Sequence, residues 1–516
     1  MNEFNGLLTA TVFLPALGAL VLLLGPDNRL FSRFIATSVA AGDFVLAVLV
    51  FALFDRTDMA SRFQFLDQWV WISSDAIKST YLLGVDGLSA PLVLLTGLLG
   101  ICAVLASLKI TLKVKQYFIW ILLLQTSVMG VFTSLDVLLF FLFWEVELIP
   151  MYMLITTWGS GRREYSGMKF LIFTIAGSAA MLVAILGLIL TQGDHALNMI
   201  STLESGSGLM PTTGIISLSV LFWLFFVAFA IKLPVWPLHT WLPDAHTDAP
   251  TAASIILAGV MLKMGGYGLL RINVGMFPEQ IHSFAWVLMI LGVISVIYGG
   301  IVTVRQTDLK RLVAYSSVSH MGLVLVGIAS VGVSYTYVNV TGLTGAAMQL
   351  FTHGTITGLL FLCVGLIYDK AHTRSIPQLG GVAQRMPLVG IAVLVAGFGS
   401  LGLPGLSGFV SEILIFFGAF PAFPVLTVIA VLGIVLAAGY ILWMIQRALF
   451  GNLPDHLLDL KDADRLESIP LILMIISIVV VGLYPSVVTD VFNSGLEPMV
   501  SVINNVSVIN IGLLGN

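Results

Sequence analysis

Long apolar runs, separated by short charged or glycine-rich turns, fill this chain from end to end. Read between charges, about fourteen such runs lie near residues 7–25, 32–54, 84–108, 116–133, 135–157, 167–191, 214–241, 250–275, 283–304, 308–331, 340–368, 388–418, 423–450 and 467–490. A helix needs roughly 20 apolar residues to cross the hydrocarbon core of a bilayer. The pattern therefore predicts an all-α polytopic membrane protein with about 14 transmembrane helices. Residues 55–83 and 191–213 are polar enough to lie outside the membrane, and 451–466 is acidic and partly amphipathic. No stretch accommodates a soluble domain. The segment Met1–Gly6 holds Glu3 and no Lys or Arg, so Leu7–Leu24 reads as a first spanning helix rather than a cleaved signal.

Composition supports the same class. Of 516 residues, 58% are hydrophobic and 10% charged, with a mean hydropathy of +1.03. Soluble proteins carry about 25% charged residues, so lipid must be the solvent for most of this surface. The net charge of −4 argues against a nucleic-acid partner. The 50 glycines suit helices that approach closely in a membrane. Cys102 and Cys363 both sit in apolar runs and imply neither a disulfide nor a metal site.

The positive charges are unevenly distributed. Of the 23 Lys and Arg, all but six fall beside loops that follow odd-numbered spans, from Arg29 and Arg33 to Lys461 and Arg465. Arg56, Arg62, Lys78 and Arg271 belong to the opposite loops, and Lys232 and Lys263 lie within spans. By the positive-inside rule the odd loops are cytoplasmic and both termini lie outside. The alternation also favours an even number of helices.

Two spans carry matching interruptions. The seventh contains Ile231-Lys232-Leu233-Pro234-Val235-Trp236-Pro237, and the twelfth runs from Gly399-Ser400-Leu401-Gly402 through Pro404-Gly405-Leu406-Ser407-Gly408. Proline removes a backbone donor and clashes with the preceding turn. In lipid, the carbonyls this frees need protein or water partners, so each break is expected to line a wet internal cavity. Paired broken helices point to an inverted-repeat transporter. The expected organisation is a three-helix segment (1–115), two inverted five-helix repeats (116–275 and 283–450) with broken seventh and twelfth helices, and an amphipathic loop, last helix and tail (451–516).

Ionisable groups inside spans cost roughly 2.5–3.5 kcal/mol each on insertion scales and are functional by default. In chain order they are Glu145, Lys232, Lys263, His320, His353 and Glu412. Burial penalises the charged form of lysines and acids alike, which brings both within reach of proton exchange near neutral pH. Histidine titrates there with little help. Such a series can relay a proton. A Glu–Lys pair is bistable: together both stay charged, while apart the lysine's proton can be passed on. Glu145 and Lys232 are the expected pair, with Pro234 allowing the helix to bend. Glu147 is about 200° around a regular helix from Glu145, so it is expected to face another helix or a neighbouring subunit. His239, Asp244 and His246, with Asp248, form either a proton entrance on the cytoplasmic side or a set of solvated loop groups. The bland alternative throughout is structural: a buried Glu–Lys pair can be inert, Glu412 can cap the second half of its broken helix, and His320 and His353 can be satisfied core histidines. No phosphate loop, Cys-x-x-Cys or His-Glu-x-x-His motif occurs, so no cofactor or metal site is expected in this chain.

Several runs resemble the antiporter-like membrane subunits of respiratory complex I, of the chain M or subunit-four type. They are Phe143-Trp144-Glu145 to Pro150-Met151-Tyr152, Ala230-Ile231-Lys232-Leu233-Pro234 to Ala245-His246, Ala249-Pro250-Thr251-Ala252, Leu262-Lys263-Met264-Gly265-Gly266-Tyr267-Gly268 and Leu309-Lys310-Arg311 to His320-Met321-Gly322. Tyr368-Asp369-Lys370-Ala371-His372-Thr373-Arg374 with Leu379-Gly380-Gly381 is the feature most like chain M. The resemblance covers roughly residues 80–450. It implies fourteen helices with inverted repeats, and it matches Glu145, Lys232, Lys263 and Glu412 to the family's helix-five, helix-seven, helix-eight and helix-twelve residues. It also implies a proton-pumping, non-redox subunit of a NADH:quinone oxidoreductase. NAD, FMN, iron–sulfur clusters and quinone would then be held by partner subunits. Partners would be neighbouring antiporter-like and other membrane subunits, with the hydrophilic redox arm reached indirectly. The implied location is a bacterial inner (cell) membrane, multi-pass, with both termini periplasmic. The shared lysine runs leave a second reading open, a subunit of a multi-subunit cation/proton antiporter. A scaffold with vestigial ion pairs is a third.

Overall fold

The computed structural model describes residues 6–56, 62–74, 77–204, 208–209, 216–332 and 338–514. The chain is a helical, multi-pass membrane protein. Its spans are α1 (Leu7–Leu24), α2 (Arg29–Leu53), α3 (Ala90–Ala106), α4 (Val114–Thr133), α5 (Val137–Trp158), α6 (Arg163–Gln192) and α7 (Leu218–Lys232), which resumes as Trp241–Asp248. They continue as α8 (Thr251–Val274), α9 (Pro278–Val304), α10 (Leu309–Ala329), α11 (Thr341–Ala371), α12 (Pro387–Ser400, resuming as Ser407–Ala419), α13 (Pro424–Ala448) and α14 (Arg465–Leu483). Each apolar run read from the sequence coincides with one of these helices.

Burial sorts them into layers. Helices α8 and α11 are buried throughout and α10 nearly so, while α1, α2, α13 and α14 are buried over well under half of their length. Leu24, Phe34, Leu190 and Val425 stand open on the outer helices. A water-soluble surface rarely carries apolar patches on this scale, so these faces belong against lipid or neighbouring chains.

The two ends of the bundle differ in charge. At one end, Lys109 and Lys370 both reach Glu467, Arg374 pairs with Asp308, and Lys169 with Asp244. These cations stand in or beside the loops after the third, eleventh and fifth spans, at the helix ends that flank them, so these odd loops gather on one side. At the other end lie Arg62, Asp86 and Arg271.

Three features depart from the sequence reading. The segment outside the membrane after α2 is an antiparallel hairpin of β1 (Gln64–Ser73) and β2 (Lys78–Val85), so the chain is not wholly helical. Strand β2 runs up to Val85, which shortens α3 at its start relative to the expected residue 84. The expected tail is a further helix, α15 (Ser486–Leu514), held against the bundle where Gly495 meets Gly87 and Leu88 and where Asn504 bonds both backbone groups of Val338.

Candidate functional site

The break in α7 follows from Pro234 and Pro237, neither of which has an N–H to extend the helix. The Leu233 and Val235 amides still reach back to the Phe229 and Ala230 carbonyls, at 2.8 and 2.9 Å. The freed Ile231 carbonyl accepts from the Trp241 indole at 2.9 Å, and the Trp236 amide donates to Ser295 Oγ at 3.0 Å. Side chains of the protein, rather than a cavity alone, thus satisfy this break. Lys232 ends the helix there, almost fully buried, with its ammonium over the Trp144 and Phe170 rings.

The partner of Lys232 is Glu147, not the expected Glu145. The Glu147 carboxylate forms a fully buried ion pair with the Lys232 ammonium. Glu145 is half-buried between the exposed Leu142 and Val146, with Oε1 sequestered and unbonded, though close enough to act on Lys232 electrostatically. The two acids do point to different sides of α5, as the helical phase predicts, but it is Glu147 that faces Lys232. Pro150 cannot donate to the carbonyl of Val146, and a turn at Glu147 separates Val137–Val146 from Leu148–Trp158.

Helix α8 carries Lys263 on a backbone with two π-helical stretches, Leu257–Met261 and Leu269–Val274. Such wide turns are rare and concentrate at functional sites. Lys263 donates to the Ala258 carbonyl of the first stretch and lies 2.8 Å from His353 Nδ1 of α11. The His353 and His320 rings have centroids 5.6 Å apart. His320 Nε2 is 3.1 Å from Ser400 Oγ, at the break of α12, and 3.5 Å from the Tyr440 hydroxyl. His320 Nδ1 stands 3.7 Å from Glu412 Oε1, too far for a direct hydrogen bond. Between these groups is a polar cavity lined by His320, His353, Gln349, Thr352, Ser400 and Glu412. Its free space of about 10 Å³ is on the order of one water molecule. In the break, Gly402 has φ +76° and lies against the Glu412 carboxylate, so a side chain there would meet both strain and the acid.

Four of the six relay candidates, Lys263, His353, His320 and Glu412, therefore form one line across four helices. Lys232 lies apart with Glu147. The two groups are mechanically joined, because Gly265 of α8 rests on the break of α7: a Cβ there would lie 2.6 Å from the Leu233 amide nitrogen and 2.7 Å from the Phe229 carbonyl.

The entrance candidates are not solvated loop groups. His239 and His246 are buried, and among the described residues neither ring has a hydrogen-bond partner. His239 meets Tyr298 edge-on, and His246 stacks on Phe361 with centroids 4.6 Å apart. Asp244 is paired with Lys169 at 2.7 Å, and Asp248 accepts from Ser166 at 2.6 Å. Sequence reasoning put Lys310 in a loop, yet it is buried and donates to the Ala249 carbonyl at 2.6 Å. It borders a cavity of about 150 Å³ with Asp369, Arg374 and Tyr117. The polar series Gln349, Thr352, Thr355 and Thr357 around His353 was a visible signal that α11 lines a site.

Residues 134–437 match the family described as NADH:quinone oxidoreductase/Mrp antiporter, TM. The chain is 37% identical to NADH-quinone oxidoreductase subunit M of Rhodobacter capsulatus over 510 residues, covering 96% of each protein. It is 39% identical to NAD(P)H-quinone oxidoreductase chain 4 1 of a Synechococcus species, covering 94% of this chain and 91% of the relative. Among solved structures, a chain of respiratory complex I from Thermus thermophilus superposes with a TM-score of 0.84 at 28% identity, covering 96% of this chain and 99% of that one. The matched region holds both broken helices and every charged group of the line, and on that ground the chain belongs to the NADH:quinone oxidoreductase/Mrp antiporter transmembrane family.

Proposed function

We propose that the chain is a proton-translocating membrane subunit of a NADH:quinone oxidoreductase of the complex I type, driven by redox chemistry in partner subunits. The single observation that carries the reading is the line Lys263–His353–His320–Glu412, assembled in the membrane interior from four helices. The Lys263 ammonium donates toward His353 Nδ1, whose other nitrogen is without a hydrogen-bond partner among the described residues. Passing the proton on would charge His353, then His320, whose Nε2 is held by Ser400. The adjoining cavity has room for about one water, which would bridge the remaining gap to Glu412.

Glu147 and Lys232 form the upstream switch. While paired, both remain charged; a shift of the α7 break separates them and presses on α8 through Gly265. Glu145 is a second acid at the edge of this switch, facing the outer surface of α5. Residues 116–275 and 283–450 act as the two repeats. His239, Asp244 and His246 remain the proposed entrance, with Lys310 beside them. NAD, FMN, iron–sulfur clusters and quinone belong to partner subunits, and neighbouring antiporter-like subunits flank this one. The location is a bacterial inner membrane, with both termini periplasmic.

The test is reconstitution of the purified assembly in liposomes. NADH-driven acidification is expected to fall at least tenfold in Lys263→Met with subunit composition intact. Pumping at the wild-type rate in that variant overturns the relay. Sodium-dependent exchange with no co-purifying NADH-oxidising module supports the cation/proton antiporter reading instead.

A further inference from the structure

Helix α8 carries a second buried cation that the relay does not use. Lys263, Tyr267 and Arg271 recur every fourth residue along α8, the last within its second π-helical stretch. Residues at this spacing share one strip of a helix surface. Arg271 is fully buried. Its guanidinium makes a bidentate bond to Asp86, NH1 to Oδ2 at 2.7 Å and NH2 to Oδ1 at 2.5 Å, while Nε donates to the Tyr267 hydroxyl at 3.1 Å. The Tyr267 hydroxyl donates in turn to the Phe132 carbonyl at 3.3 Å. Asp86 also accepts from the Leu88 and Ser89 amides, each at 3.1 Å. The rings of Phe63 and Tyr267 flank the guanidinium at 5.5 and 5.2 Å.

Beyond Asp86 the protein opens. A cavity of about 290 Å³ lies at the end that bears the hairpin, lined by Arg62, Gly87, Glu497 and Ser501 among others. Arg62 stands 3.8 Å from Asp86, so two guanidinium groups face this single carboxylate. Along α8, Arg271 stands at the hairpin end about two turns from the buried Lys263, on Asp86, whose neighbour Gly87 lines this cavity.

We propose that Arg271, fixed by Asp86 and Tyr267, is an electrostatic seal that stops protons passing between Lys263 and the cavity at the hairpin end. This rests on the relay reading above and adds a barrier to it. Proton hopping needs an acceptor at every step, and guanidinium has none. Water chains conduct protons only where no fixed positive charge stands in the way, the principle by which an arginine excludes protons from water pores. The Tyr267 hydroxyl is already engaged at both ends, accepting from Arg271 Nε and donating to the Phe132 carbonyl. The bidentate fork and the flanking rings keep the cation from swinging aside.

Removing one partner strands a buried charge, so the test replaces both members of the bidentate pair, Asp86→Asn with Arg271→Met, and leaves Arg62 as the cation at the opening. The assembly is reconstituted in liposomes containing a pH-sensitive dye, and the decay of an imposed pH gradient is followed without NADH. The double variant is expected to dissipate the gradient several-fold faster than wild type. Adding Lys263→Met should restore the wild-type decay, because the leak uses the relay. Arg271→Lys, which keeps a cation in place, should stay close to wild type. The seal is overturned by an unchanged decay in the assembled double variant, by a leak that survives Lys263→Met, or by a leak in Arg271→Lys as large as in the double variant. The relay reading fails separately, through normal NADH-driven pumping in Lys263→Met alone.

Discussion

Glu147→Gln tests which carboxylate operates the switch. Glu147 is fully buried and its Oε1 holds the Lys232 ammonium, while its other oxygen has no hydrogen-bond partner among the described residues. Replacing it by the isosteric amide keeps the shape and removes the charge. Taking away one member of a buried ion pair costs about 3–5 kcal/mol, because the survivor is left uncompensated. At about 1.4 kcal/mol per decade, this lowers the weight of the charged, closed switch by roughly a hundredfold to a few thousandfold. Glu145 is half-buried and reaches Lys232 only through space, so Glu145→Gln should cost far less, on the order of 1 kcal/mol or a few-fold. The assay is NADH-driven acidification of proteoliposomes, run beside the NADH:quinone reductase rate and a subunit gel. The expected order is Glu147→Gln far below Glu145→Gln, with Glu147→Asp partly restored because the charge returns. If Glu145→Gln abolishes pumping while Glu147→Gln leaves an assembled complex at full rate, the Glu147–Lys232 pairing is not the switch and Glu145 operates it.

Two further outcomes follow from the same geometry. Gly265→Ala places a methyl group against the Leu233 and Phe229 backbone, which cannot yield as a side chain would; overpacking of this kind costs about 1–3 kcal/mol and should lower the thermal midpoint of the detergent-solubilised assembly by a few degrees, whereas an unchanged midpoint would falsify the close α7–α8 approach. Outside the membrane, the Lys109 ammonium donates to Asp464 and holds that carboxyl below the usual carboxylate range, helped by the Glu467 amide; a depressed acid stabilises above its unfolded pKa and loses the effect as pH falls through the folded value, so the start of α14 should fray in acid, read by faster amide exchange at residues 466–468, and Lys109→Ala should shift that onset to higher pH.

The membrane class, the spans, their alternation and the two breaks were legible in the sequence because hydrophobicity, proline chemistry and loop charge act locally. Lys232, Lys263, His320, His353 and Glu412 stood out for the same reason: a titratable group in an apolar run is conspicuous whatever surrounds it. Partnership was not legible. Lys263 and His353 are 90 positions apart, and only the packing of α8 against α11 brings them to 2.8 Å. Helical phase separates Glu145 from Glu147 but does not say which of them faces inward; the position of Lys232 on α7 decided for Glu147. Lys310 and Arg271 read as loop or helix-end charges, yet tertiary structure buries both, one on the Ala249 carbonyl and the other on Asp86. The hairpin before α3 was missed because a short two-stranded unit gains its stability from the bundle it rests on, and the helix after α14 because its apolar residues are broken up by Asp490, Asn493, Ser494, Glu497 and Pro498. Sequence thus determined which groups had to avoid lipid. The fold decided which of them meet, because burial is a property of a residue's own chemistry, whereas an ion pair depends on where distant backbone segments come to rest.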